Sequence, residues 1–141
     1  MTEQAAEAGW WYDGGVGTVT VARDATARFL RGSAGTELDV DTDTALLVVS
    51  ELVTNAVRHA PGPLRLELAR SDATLVISVL DGSTAGPVLR PPDPERVGGH
   101  GMEIVTALCR YVVTEPAPCG KRVTAVLVAP ELAMRAPAQR G

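Results

Sequence analysis

Lysine, asparagine and cysteine are nearly missing from this chain, and it contains no apolar run long enough to cross a bilayer. Lys121 is the only lysine, so positive charge is carried almost wholly by arginine, a compositional bias that assigns no role by itself. The net charge is -4 and the pI about 5.1, which gives no general attraction to nucleic acid or to an anionic membrane. Any phosphate bound here must therefore be held by a local site. The two cysteines, Cys109 and Cys119, lack metal-ligand spacing and are too few for a disulfide framework, so both read as small apolar residues. His59 and His100 lie far apart with no third ligand in sight, and neither occupies the setting of a phosphoacceptor helix, which argues against a metal centre or a catalytic histidine. The start, Met1-Thr2-Glu3-Gln4, is acidic where a secretory signal would be basic, and a cytoplasmic location is expected.

What is present is ordinary for a globular domain: 141 residues, 45% of them hydrophobic and 21% charged, enough for one core and too few for two. Residues 1 to 15 are rich in Ala, Glu and Gly apart from Trp10-Trp11-Tyr12, and read as a flexible arm whose aromatics dock on the domain or on a second copy. Val16 to Ala22 alternates like a short strand, and Arg23 to Leu30 then carries Ala22, Ala25, Phe29 and Leu30 on one helical stripe. A longer helix follows over Thr42–His59, capped by Asp39 or Asp41 and stopped by Ala60-Pro61-Gly62-Pro63, with Leu46, Leu47, Val48 and Val49 in the core. Leu64 to Ala69 and Thr74 to Leu80 alternate around a turn and predict an antiparallel hairpin. Between Gly82 and Gly101 stand five glycines and four prolines, too long and broken for a plain connection and typical of a functional lid. A third helix from Gly101 to about Tyr111, strands near 111–114 and 122–128, and a frayed tail over 130–141 complete the chain. This order predicts an α+β, two-layer sandwich with a mixed, mostly antiparallel sheet covered on one face by helices, the folded domain spanning 16–129.

Four local features carry chemistry. Glu51 and Asn55, the only asparagine, are one helical turn apart and share a face, so a carboxylate and an amide can meet one ligand. Asp81-Gly82 ends a strand. Gly98-Gly99-His100-Gly101 runs into a helix whose first N–H groups and positive dipole end suit a phosphate. Gly120-Lys121 opens the last strand. Each has a plainer reading as well. Ser50, Glu51, Thr54, Asn55, Arg58 and His59 form the polar stripe of any amphipathic surface helix, Asp81-Gly82 is a common turn pair, and Lys121 reads as an exposed lysine. The glycine run is neither a Walker A loop, which needs Gly-Lys-Ser/Thr, nor a dinucleotide fingerprint, which needs a strand immediately before it.

Taken together, Glu51-Leu-Val-Thr-Asn55-Ala, Asp81 and Gly99-His-Gly101-Met-Glu-Ile-Val resemble the N, G1 and G2 boxes of the gyrase, Hsp90, histidine kinase and MutL ATPase superfamily. The likeness covers about Val16 to Val128 and is strongest to the small, free-standing anti-sigma-factor serine/threonine kinases. It implies the Bergerat ATP-binding fold, with ATP and Mg²⁺ as ligands. It implies Asn55 as the Mg²⁺ ligand and Glu51 as the base for an attacking hydroxyl. Asp81 would read the adenine amino group, with Ser83 beside it, and Arg96, Gly99, His100, Gly101 and Met102 would line the phosphate side. Thr124 would be the remaining hydroxyl of the last strand. The implied partners are an anti-sigma-factor antagonist, phosphorylated on serine or threonine, and a sigma factor; a homodimer is a further expectation. Two departures stand out. Ser83 and Ala85 replace the usual glycines after Asp81, and Arg122 and Val123 replace Gly and Thr in the family's Lys-Gly-Thr-Thr segment. A degenerate nucleotide-binding or protein-binding module without turnover is the alternative that these departures keep open.

Overall fold

A computed structural model describes residues 5–32, 40–71, 73–82 and 101–129. Eight elements follow one another: β1 (Ala5–Tyr12), α1 (Thr18–Gly32), α2 (Thr42–His59), β2 (Leu64–Ser71), β3 (Thr74–Asp81), α3 (Gly101–Leu108), β4 (Tyr111–Ala117) and β5 (Gly120–Val128). The five strands form one sheet in the order β1-β2-β3-β5-β4. Every pairing is antiparallel, so the mixed sheet expected from the sequence is antiparallel throughout the described residues.

The first strand is not where the alternation of Val16 to Ala22 suggested. That segment is mostly helix, because Thr18, Ala22, Ala25, Thr26 and Leu30 recur at helical spacing and bury one stripe against α2. The Thr26 hydroxyl donates to the Ala22 carbonyl at 2.8 Å, removing a buried polar atom from the balance. The strand comes instead from residues assigned to a flexible arm. Ala5–Tyr12 pairs along its whole length with β2, from Ala5 opposite Ser71 to Tyr12 opposite Leu64. Trp10 holds it down by packing edge-on against Phe29, ring centroids 6.4 Å apart and planes at 89°.

α2 spans the predicted residues. Asp41 caps it, accepting from the Thr44 amide at 2.9 Å and the Thr44 hydroxyl at 2.7 Å. These hydrogen bonds, the hydroxyl first, hold the Asp41 carboxyl below the usual carboxylate range. Asp39, the other cap candidate, lies outside the described residues. α2 buries Ala45, Val48, Val49, Leu52, Val53 and Ala56 against the sheet. Leu47 was expected in the core and is 40% exposed, since it falls on the far side of the helix from Val49 and Leu52.

Strand parity decides which side chains meet the helices. Leu64, Leu66 and Leu68 of β2, Leu75, Ile77 and Val79 of β3, and Val123, Ala125 and Leu127 of β5 share the buried core with α2 residues and Val105 of α3. The register then fixes everything else: Asp81 and Lys121 belong to the helix side, Ser78 and Thr124 to the opposite side. That outer face carries Trp11, Arg65, Glu67 and Arg122. Arg65 Nε and Arg122 Nη1 donate to the two Glu67 oxygens at 2.9 and 2.8 Å, and Arg65 also stacks over the Trp11 ring at 5.5 Å. The two guanidinium hydrogen bonds, that of Arg122 first, hold the Glu67 carboxyl below its ordinary range. No helix among the described residues is long and apolar enough to cross a membrane.

Candidate functional site

The centre of the site is the meeting of α2 with the start of α3. Glu51 and Asn55 sit one turn apart on the α2 flank, both half-buried, whereas Arg58 and His59 of the same polar stripe are exposed. The stripe is thus not uniform: its first part is turned into the molecule. What it meets is Gly101. A Cβ on that residue would collide with Glu51 Oε1, and would stand 3.0 Å from its Cδ and 3.6 Å from its Cβ. Glycine at the head of α3 is what lets the Glu51 carboxylate lie against the main chain there. The first N–H groups of a helix have no partner within the helix, so this junction sets a carboxylate and an amide beside the donors that open α3.

A second cluster closes the end of β3. Asp81 is 7% exposed and Lys121, its register partner on β5, is 6% exposed; Lys121 Nζ lies 3.9 Å from Asp81 Oδ2. Gly120 makes that approach feasible. A Cβ there would overlap the Asp81 carbonyl oxygen and come within 2.8 Å of Gly82 Cα, so the main chains of the two strand ends touch at this point. Both side chains face the helix layer, the side on which Glu51 and Asn55 stand.

The described residues bring Glu51, Asn55, Asp81 and Gly101 to the helix side of the sheet. They correct two expectations. Thr124 pairs with Ser78 on the outer face, hydroxyl to hydroxyl at 3.1 Å, so the sheet itself separates it from Asp81. Lys121, read as an exposed lysine, is buried beside Asp81. The sequence singled out the Gly120-Lys121 pair at the head of the last strand but gave the lysine no contact in the site. Met102 is half-buried and packs against the core, and its carbonyl accepts from the Thr106 hydroxyl at 2.8 Å. Ser83, Arg96, Gly99 and His100, with the rest of the lid segment 83–100, lie outside the described residues.

Of the cysteines, Cys109 packs on the core and burial pushes its thiol up to about 11, which keeps it protonated and unreactive; Cys119 is exposed, contrary to the apolar reading. No group of three His, Cys, Asp or Glu among the described residues could hold a metal ion. The donor set suits Mg²⁺ only in the manner of a nucleotide site, in which one protein oxygen is supplemented by phosphate oxygens and water. The half-buried Asn55 amide beside the Glu51–Gly101 junction fits that requirement.

This geometry agrees with what comparison finds. The sequence model of the histidine kinase-like ATPase domain matches residues 16–127. No curated protein matches the chain. Among solved structures, one similar in fold is the crystal structure of the RsbU and RsbW domains of Rv1364c from Mycobacterium tuberculosis. It superposes with a TM-score of 0.63 at 15% identity, over 88% of this chain and 32% of that one. The chain therefore spans about a third of the length of that protein, and the likeness concerns fold alone. With four-fifths of its residues inside the family match and its site residues on the helix side of a matching sheet, the chain belongs to the histidine kinase-like ATPase domain family of the gyrase, Hsp90, histidine kinase and MutL superfamily.

Proposed function

We propose that this protein is a cytoplasmic, ATP- and Mg²⁺-dependent serine/threonine kinase of the anti-sigma-factor type, which phosphorylates an anti-sigma-factor antagonist and binds a sigma factor. The observation that carries the reading is the Glu51 carboxylate lying against Gly101 at the head of α3, with Asn55 one turn away. Asn55 would supply an oxygen to Mg²⁺, and the α3 N–H groups would hold phosphate oxygens. The hydroxyl oxygen of the acceptor attacks the γ-phosphorus, the bond from that phosphorus to the β–γ bridging oxygen breaks, and ADP leaves. Glu51 takes the hydroxyl proton. Charge neutralisation and positioning supply most of the rate in such transfers, so a single well-placed carboxylate and a metal suffice. Asp81 would accept from the adenine 6-amino group.

The test separates the two stages. Glu51→Gln should keep ATP affinity nearly intact while phosphate transfer to the antagonist falls by about 10²–10⁴, the usual worth of a positioned base. Transfer at the wild-type rate would remove Glu51 from the mechanism. One observation favours the second reading, a nucleotide-binding regulator without turnover: Thr124, the last hydroxyl of the family's final-strand motif, faces away from the site. ATP binding by the wild type without transfer to any antagonist would favour that reading over the kinase.

A further inference from the structure

Lys121 is the buried member of the Gly120-Lys121 pair that opens β5. A strand-end lysine ordinarily extends its ammonium to water. Here the side chains of Lys121 and Asp81 are 7% and 1% exposed, and the ammonium points at the carboxylate. Yet the contact is 3.9 Å, beyond the roughly 2.7–3.2 Å of a direct N–H···O bond. The carboxylate attracts the ammonium without saturating its three donors, and a buried charge offsets its lost hydration only when further hydrogen bonds are made. At the end of β3 the pair therefore presents an acceptor and a donor side by side, facing the helix layer.

We propose that Lys121 is a specificity-determining residue for the nucleobase: Asp81 accepts from the 6-amino group of adenine while Lys121 donates to the adjacent ring nitrogen, N1. The proposal rests on the ATP-site reading given above and adds to it a second contact on the base edge. Adenine carries a donor and then an acceptor at these neighbouring positions, matching the pair. A 6-oxo purine carries them reversed, so in the same pose its oxygen would face the carboxylate and its N1–H the ammonium. Discrimination against inosine and guanosine triphosphates follows from that mismatch.

Calorimetric titration reads this contact without turnover, using ATP and 1-deaza-ATP, in which C–H replaces N1. The wild type should bind 1-deaza-ATP about tenfold or more weakly than ATP, the scale of one charged hydrogen bond. Lys121→Met should bind both with the same Kd, while Lys121→Arg, which keeps a donor, should retain part of the preference. Taking the ratio within each protein cancels any loss of stability from leaving Asp81 without its cation. If Lys121→Met does not fold, the comparison on the wild type decides alone. Equal affinity of the wild type for both nucleotides, or a preference that persists in Lys121→Met, would overturn the role of Lys121 and leave Asp81 and ATP binding untouched. Failure of the wild type to bind ATP at all would overturn the ATP-site reading itself.

Discussion

Gly101 and Glu51 show how little space separates a working arrangement from a displaced one. In Gly101→Ala the new methyl would meet the far end of a flexible side chain, so the fold can adapt by swinging the Glu51 carboxylate aside rather than by moving backbone. Thermal unfolding should therefore change by less than about 1 kcal/mol, since alanine is also the better helix former. Phosphate transfer should fall by about tenfold or more, because misplacing a reacting group by about 1 Å is that costly. A variant that transfers phosphate normally would mean that the position of Glu51 is not critical. At this scale the sequence revealed residue types better than directions. Glu51, Asn55 and Asp81 were legible because each stands in an ordered motif. The face occupied by Thr124 and the burial of Lys121 were not, because both depend on the register between β3 and β5, which joins residues forty or more positions apart.

At the scale of elements, α2 depends on its cap. Asp41→Ala should destabilise by about 1 kcal/mol and lower Tm by a few degrees. The carboxyl is held below its unfolded value, so its charge contributes stability that is present above about pH 4 and is lost as pH falls through the lower, folded value. Glu67, held down by Arg122 and Arg65, acts in the same direction but is a third exposed and well screened. Asp41→Asn keeps a capping oxygen without the titrating proton, so its Tm should decline less steeply than the wild type's between about pH 5 and 3; parallel profiles would assign the acid loss to other groups. β1 provides the other element-level test. Removing residues 1–12 strips the whole pairing partner from β2 and the Trp10 ring from Phe29, and should lower Tm clearly, whereas loss of a mere arm would leave it unchanged. The helix α2 and the β2–β3 hairpin were legible because periodicity, caps and turn residues agree there. β1 was hidden because Ala, Glu and Gly have low strand propensity, and what makes Ala5–Tyr12 a strand is its distant partner.

On the scale of the whole molecule, a net charge of -4 works against a polyanionic ligand, so a metal bound with the proposed nucleotide would carry unusual weight. ATP should raise the Tm of the wild type more with Mg²⁺ than with a chelator, and Asn55→Ala should abolish that difference while keeping the smaller, metal-free shift. An unchanged Mg²⁺ effect in the variant would place the ion elsewhere. The sheet order bears on how the chain reaches this state. β5, the last strand among the described residues, lies between β3 and β4 rather than at an edge. An earlier-formed β2–β3 hairpin must therefore wait with one side open until β5 inserts, and non-local pairing of this sort is slow compared with helix formation. Lys121 arrives on that strand. If Lys121 reads the base as proposed, nucleotide competence would depend on the insertion of β5: a chain halted short of it could form α2, with Glu51 and Asn55 on one face, and still lack a reader of adenine.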